Sequence, residues 1–428
     1  MKRYFSVVFL LVLVSFLASF LSACTLFQQP KGPRNASEHL NKPYVIMISI
    51  DGYRHDYTEK YNPPVISEFK KAGVRAQGLK SVYPSVTFPN HYAIATGLYT
   101  ENHGLVANHF WRHDLGEEYS LRNREKVEDR RFYEGVPMWV AAEKQGMVAA
   151  TFFWVGSEAD VRGKRASYFY TYDGSISNRA RMEQVVDWLK KPPKQRPHLI
   201  TAYFSVVDSM GHRYGPDSDP VRESVLEVDQ QLGFLFEGLK KLNLPINVIL
   251  VSDHGMQEID PVNKGVAIDE FASLENFRVY GPGPQSLLYV RETIPQDQRP
   301  EVIQETYKKI KAKEDPERFR VYLKQDIPEA YRFRNHPAVP DILVDAKRPY
   351  VVGPRATLER LPKGMHGFDP EEKEMWGFFY AKGPQLQENM DIDAFRNIHI
   401  YPLVMEILGL KVLEPIDGSL EVLKPILR

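Results

Sequence analysis

Cysteine is almost absent from this 428-residue chain: there is one, Cys24. No intrachain disulfide can form, no thiolate-based structural zinc site can be built, and no cysteine nucleophile can lie in the folded body. An excess of either charge is missing too, since 55 Lys and Arg face 55 Asp and Glu. A protein that holds nucleic acid on a basic patch would usually show an excess, so no stable nucleic-acid partner is expected. No internal repeat is visible, and no low-complexity tract follows residue 42. What is present is ordinary: 43% hydrophobic and 26% charged residues, enough for a sizeable core. The length allows one large domain with insertions or two to three smaller ones.

The first segment reads as an address. Lys2 and Arg3 precede an apolar run from Tyr4 to about Leu21, and Leu21-Ser22-Ala23-Cys24 resembles a bacterial lipobox. Residues 1–23 are expected to be a lipoprotein signal peptide, with Cys24 acylated as the new N-terminus. An uncleaved anchor is the alternative, because the run approaches the ~20 residues that a membrane span needs. Both readings place the body in the cell envelope, held to the membrane and facing the periplasm or exterior. Residues 24–42 are polar, with Pro30, Gly32 and Pro33, and predict a flexible tether.

Beyond the tether, short apolar runs alternate with helical patterns. Tyr44–Ile50, Ala149–Val155, Leu199–Val207, Ile246–Val251 and Trp376–Tyr380 are continuous apolar segments. Such runs suit strands buried on both faces. Asp219-Pro220 offers a cap and a first-turn proline to a helix carrying Val221, Val225, Val228, Leu232, Leu235, Leu239 and Leu242 at three- and four-residue steps. The alternation predicts an α/β fold, a mostly parallel central sheet between helical layers. Between about 272 and 347 prolines interrupt the pattern. Strands at Ser286–Val290 and Arg318–Leu323 around a charged helix at Pro300–Lys313 predict a small α+β insertion.

Three strands run directly into polar chemistry: Asp51-Gly52, Asp208-Ser209-Met210-Gly211-His212, and Ser252-Asp253-His254-Gly255. In a doubly wound sheet, ligands bind outside the carboxyl ends of the strands. Each aspartate alone could simply cap a helix. Together with the two histidines, and with His366 in Gly364-Met365-His366-Gly367, they point to a metal site. Carboxylate and imidazole donors suit zinc or a similar divalent ion. Asp208 and His212, four apart, are expected to reach one ion across a glycine turn. Three aspartates and three histidines exceed one tetrahedral ion, so two are inferred; a pair ~3.5–4 Å apart is the usual clamp for phosphoryl transfer. Thr87, in Ser85-Val86-Thr87-Phe88-Pro89-Asn90-His91, would sit at a helix N-terminus that favours an alkoxide and a phosphate. On spacing alone Thr87 could instead only cap that helix, and Ser85 is an equal rival.

Asp51-Gly52, the P-S-x-T-F-P-N-H stretch at 84–91, the N-H-G-L-V-A-N stretch ending at Asn108, D-S-M-G-H at 208–212, S-D-H-G-M at 252–256 and M-H-G-F-D at 365–369 occur in one order. They resemble the nucleotide pyrophosphatase/phosphodiesterase family (type I phosphodiesterases) of the alkaline phosphatase superfamily, here in a bacterial lipoprotein form, across roughly residues 43–412. The resemblance implies an alkaline-phosphatase-like catalytic domain over 43–428 and two Zn²⁺ ions. One zinc would be held by Asp51, Thr87, Asp253 and His254, the other by Asp208, His212 and His366. Thr87 would be the nucleophile, Asn108 would donate to a phosphoryl oxygen, and Phe88 and Tyr203 would flank a base. The His109-Phe110-Trp111 that follows Asn108 departs from the usual pattern.

The implied activity is hydrolysis of nucleotide-type diester or pyrophosphate bonds through a threonyl-phosphoryl intermediate, releasing a nucleoside 5′-monophosphate. Two Zn²⁺ balance three aspartates and an alkoxide, so a monoanionic diester suits the core better than a dianionic monoester, and the nearest arginines in sequence are Arg75 and Arg112. The rival enzymatic reading keeps this core for lipid or choline diesters or a phosphonate. A rival of another class is a zinc-binding lipoprotein without turnover. His55, His103, His109, His113 and His399 read as surface or structural residues, and His91 as one that orders the nucleophile helix.

Overall fold

Tyr44–Ile50 (β1) is apolar at every position but Ser49 and is buried at all seven. Its alternate side chains feed two different cores. Val45 and Met47 join one cluster, while Tyr44, Ile46, Ile48 and Ile50 join another. A strand apolar on both faces needs cover on both faces, and helices supply it. We describe residues 32–428 from a computed structural model; the signal segment 1–23 and Cys24 lie outside the described residues.

The main sheet contains β1, β2 (Val74–Ala76), β3 (Ala149–Phe152), β4 (Tyr168–Tyr170), β5 (Leu199–Phe204) and β6 (Ile246–Val251). Four further strands, β7 (Phe277–Tyr280), β8 (Gln285–Val290), β9 (Phe319–Leu323) and β10 (Ile342–Ala346), form a second sheet, and β11 (Phe379–Lys382) and β12 (Met390–Ile392) return to the first. The main order is β12-β2-β11-β6-β1-β5-β3-β4. All neighbours pair in parallel except β11, which runs against both β6 and β2. Tyr44 lies opposite Ile246, and Val45 opposite Leu199, so the carboxyl ends of β1, β5 and β6 share one edge.

Helices α1 (Pro64–Ala72), α2 (Thr87–Thr96), α3 (Met138–Lys144), α4 (Asn178–Leu189), α5 (Val206–Tyr214), α6 (Asp219–Lys240), α7 (Arg299–Lys311) and α8 (Ile400–Leu408) complete the layers. Core residues of α2, α3 and α8 share a cluster with Val45 and Met47. Those of α1, α4 and α6 share the other. On α6 the buried stripe is Val221, Val225, Val228, Leu232 and Leu235. Ser218 holds the cap position and Asp219 the first turn, while Leu242 falls past the helix end. The mostly parallel α/β sheet with a small α+β insertion is the expected fold class. In the insertion, β7-β8-β10-β9 pair antiparallel under α7.

Four boundaries differ from the sequence reading. The third apolar run is not strand throughout: β5 stops at Phe204, and α5 begins at Val206. Val206 and Val207 look like more strand because α5 packs Val207 into the core. The run at 149–155 ends at Phe152, and Phe153 turns the chain with φ 69°. The last strand starts at Phe379 rather than Trp376, because Gly377 is occupied in bridges to Arg54 and Leu79. The tether expected to run to residue 42 stops short of that. Asn35 is buried, donates to the carbonyls of Pro193 (3.0 Å) and Arg196 (2.7 Å), and accepts from the Val148 amide (2.7 Å).

Candidate active site

Asp51 is the first residue after β1 and is buried. Gly52, at φ 65°, follows it, and a Cβ there would lie 2.9 Å from Asp208 Cα. Only glycine lets α5 cross this close, which brings Asp208 to the end of β1. Asp208 and His212 stand at i and i+4 on α5, on one face of a helix and not across a glycine turn. Gly211 belongs to that helix. A Cβ at Gly364 would lie 2.3 Å from the Gly211 carbonyl oxygen, so the loop carrying His366 also packs on bare backbone.

All three candidate ligand histidines have Nδ1 against a backbone carbonyl. His212 donates to Gly364 (2.7 Å), His254 to Gly255 (2.9 Å) and His366 to Ser85 (2.9 Å). That tautomer leaves each Nε2 with a free lone pair. His254 Nε2 lies 3.0 Å from Asp253 Oδ2, 3.4 Å from Asp51 Oδ1 and 3.1 Å from Thr87 Oγ1. His366 Nε2 lies 3.1 Å from His212 Nε2 and 3.6 Å from Asp208 Oδ1. His254 and His366 stack with centroids 3.5 Å apart. Asp51 Oδ1, Asp208 Oδ1 and Asp253 Oδ2 are buried with no hydrogen-bond donor satisfying them. Buried lone pairs that face one another without donors are the chemistry of a cation site. Two groups of donor atoms meet within 4.8 Å, Asp51/Asp253/His254 and Asp208/His254/His366. His254 belongs to both, and His212 borders the second.

Burial and neighbouring charges shift these groups. At His254 burial is outweighed by the Asp253 and Asp208 carboxylates, which raise it. Burial, then Asp253 and Asp208, push Asp51 well above the usual carboxylate range. Burial also raises Asp208. Burial opposes ionisation of Asp253 as well, but the His254 and His91 imidazoles outweigh it and hold that carboxyl low. Burial, then His254 and His212, hold His366 neutral, the form that ligates.

Thr87 is the first residue of α2, after Val86 at the cap position. The rival Ser85 is fully buried and donates to the Phe368 carbonyl at 3.0 Å, so it is committed elsewhere. Asn108 Oδ1 accepts the Phe88 amide at 2.9 Å, which leaves Nδ2 as the free donor beside Thr87. Thr87, Phe88, Asn108, Tyr203, Asp51, Asp208, His212 and His366 line one cavity of about 290 Å³. The structure therefore gathers Thr87, Asn108, Phe88, Tyr203 and the six Asp and His ligand candidates, with Asp253 and His254 just beneath the cavity floor.

Several residues were missed by sequence reasoning. Asn90 pins the loop before Thr87, donating to the carbonyls of Pro84 and Val86 (2.9 Å each) and accepting from Val82 (2.7 Å). His91, which the sequence reading had ordering the helix of Thr87, is buried, with Nδ1 3.0 Å from the Thr87 carbonyl and 3.2 Å from Asp253 Oδ2, and Nε2 2.8 Å from Ser49 Oγ. Arg75 and Arg112 pair with Asp391 and Asp114, whereas Arg124 reaches the cavity wall and pairs there with Glu158. Asp345 of β10 accepts from Tyr83 (2.9 Å), Tyr331 (3.0 Å) and Gln285 (3.3 Å), and Gln285 also donates to the Gly367 carbonyl. The second sheet is thereby tied to the loop before Thr87 and to the His366 loop. The bonds of Asp345 and Gln285 join residues 14 to 262 positions apart, so no local pattern signals them. Among the other histidines, His109 pairs with Glu118 at 2.8 Å at the surface, His113 faces Asp341 at 3.3 Å, and burial drops His103 to about 3.

Comparison with known proteins gives this geometry a family. Ectonucleotide pyrophosphatase/phosphodiesterase family member 3 of Bos taurus is 32% identical over 392 residues, 91% of this chain and 44% of its own length. A venom phosphodiesterase of Crotalus durissus collilineatus is 34% identical over 380 residues, 88% of this chain and 45% of its own. The chain thus spans under half the length of these curated relatives. Among solved structures, an inactive threonine-to-alanine form of murine ectonucleotide pyrophosphatase/phosphodiesterase 5 in complex with AMP is similar. It has a TM-score of 0.83 and 27% identity, over 90% of this chain and all of that one. Residues 45–369 match the family described as type I phosphodiesterase / nucleotide pyrophosphatase, and the chain belongs to that family.

Proposed function

We propose that the protein is a two-zinc hydrolase of nucleotide-type phosphodiester or pyrophosphate bonds. The observation that carries this reading is the position of Thr87. Its hydroxyl opens a helix at the cavity floor and lies 3.1 Å from His254, the residue common to both ligand groups. Asp51, Asp253, His254 and Thr87 would hold one zinc, and Asp208, His212 and His366 the other. When bound, the ions would supply Lewis acidity and favour ionised oxygen at neutral pH.

Thr87 Oγ1 attacks phosphorus as the bond to the leaving oxygen breaks and the hydroxyl proton passes to that oxygen, giving a threonyl-phosphoryl ester that still carries the nucleoside. Asn108 Nδ2 donates to a non-bridging oxygen, where negative charge grows in the transition state. Water then attacks the same phosphorus, the Oγ1–P bond breaks as a proton from that water returns to Oγ1, and a nucleoside 5′-monophosphate leaves. Phe88 and Tyr203 offer faces for the base. The AMP carried by the murine neighbour supports a nucleotide in this place.

Steady-state rates on a phosphomonoester, a nucleotide diester and a choline diester test the assignment. The nucleotide diester should be turned over fastest and release the 5′-monophosphate. A preference for the choline diester would replace this reading with the lipid-directed one. We also propose that residues 1–23 export the chain and that Cys24 carries a lipid anchor to the membrane. Cys24→Ser should then abolish acyl labelling and leave turnover intact.

A further inference from the structure

Tyr203 does two things at once in this fold. It is half-buried, and its ring forms part of the cavity wall. Its hydroxyl donates to Asp51 Oδ2 at 2.5 Å, a short hydrogen bond. The other oxygen, Asp51 Oδ1, is buried without a donor and faces His254. The two oxygens are thus divided, one fixed by Tyr203 and one left for the ligand group.

Tyr203 is itself held on several sides. It lies opposite Ser49 of β1 in the parallel ladder, and its carbonyl accepts from Arg181 at 2.7 Å. Its ring meets the His91 imidazole edge-on at 5.2 Å. His91 in turn reaches Asp253 Oδ2 at 3.2 Å and Ser49 Oγ at 2.8 Å, and Trp154 Nε1 donates to its carbonyl at 2.9 Å. Tyr203 and His91 therefore form a packed pair, each touching one carboxylate of the Asp51/Asp253/His254 group.

We infer that Tyr203 is a positioning residue for the reaction: through its hydroxyl it holds Asp51 in ligating orientation, so the cavity wall and the metal group are set by one side chain. This rests on the two-zinc reading above. A residue that serves only as an aromatic wall needs no hydroxyl. A residue that orients a ligand needs it whatever the substrate, because loss of such an outer partner usually costs ~10–100-fold in metal affinity or activity.

Tyr203→Phe separates the two roles, since it keeps the ring and removes one oxygen. The full-length zinc-loaded protein and the variant would be titrated with a chelator of known zinc affinity. kcat and KM would be measured on a nucleotide diester and on a small aryl diester that carries no base. The variant should release one zinc at roughly tenfold lower chelator activity. Its kcat should fall about equally on both substrates, with KM for the nucleotide diester unchanged. Tyr203→Leu, which removes the ring as well, should raise that KM in addition. Wild-type zinc retention and kcat in Tyr203→Phe, in a protein whose turnover does depend on zinc, would overturn this inference alone. Turnover by the metal-free wild-type protein would overturn the two-zinc reading and this inference with it.

Discussion

Asn108 and Phe88 share one hydrogen bond, Oδ1 to amide nitrogen at 2.9 Å, and it decides which end of the Asn108 amide faces the reaction. With the oxygen committed to the backbone of α2, the NH₂ is left beside Thr87. Asn108→Asp keeps the shape and the backbone bond but turns the free donor into a second anionic oxygen. An oxyanion donor is worth ~10²–10³ in rate, and repulsion of the phosphate adds to that loss. kcat/KM on a nucleotide diester should fall at least ~100-fold with the melting temperature little changed. A drop under tenfold would mean that the amide does not touch the phosphoryl group.

Thr87→Ala should abolish turnover and spare the fold. Thr87 provides no side-chain cap to α2 and is half-exposed, so truncating it removes little packing. Incubation with a nucleotide diester followed by acid quench should trap a nucleoside 5′-phosphoryl group esterified to residue 87 in the wild type only. The nucleoside 5′-phosphoryl group found on Ser85 instead would overturn the assignment, although that hydroxyl is tied to Phe368 at 3.0 Å.

Metal removal should be complete in its effect. Among the described residues, three buried carboxylate oxygens without donors crowd one floor, and uncompensated they repel an anionic substrate. A strong chelator should stop turnover and zinc should restore it. His366→Ala should bring zinc close to one ion per chain, because its Nε2 is shared with Asp208 and His212. His109→Ala, at a surface pair with Glu118, should keep wild-type zinc content. Equal content in both variants, read by atomic absorption, would show that His366 is not a ligand.

Asp345 gives a pH dependence with a defined sign. Burial pushes its pKa from 3.8 up to about 6, although Tyr83, Tyr331 and Gln285 all donate to it. As pH rises past 3.8 the unfolded chain ionises first, so stability falls between about 4 and 6 and then levels off. By linkage the ionised form costs ~3 kcal/mol above pH 6 relative to the protonated form. Asp345→Asn removes that titration. Unfolding midpoints of both proteins at pH 4, 5, 6 and 7 should shift in favour of the asparagine variant as pH rises. A difference independent of pH would show that Asp345 does not titrate in this range.

The apolar strands, the aspartates at their ends and the glycine-flanked histidines were legible in the chain because each is a local pattern. YVIMISI buried on both faces implies layered cover, and parallel strands must place their carboxyl ends on one edge. A helix N-terminus at Thr87 followed from Pro89 and Gly97, two residues that act through their own backbone. What the local pattern could not carry is which groups meet. Asp208 proved to be on a helix, since Val206 and Val207 are apolar in either conformation. Arg124 and Glu158 at the cavity wall, Tyr203 on Asp51 and the Asp345 junction join residues 34, 152 and up to 262 positions apart. Such partners are chosen by the way the sheet and its insertion close around the site, and a hydrogen bond between distant residues leaves no periodicity in the sequence. The chain's own order thus determined the sheet and the inventory of donors. Tertiary packing decided which oxygen, which imidazole nitrogen and which hydroxyl each donor would face.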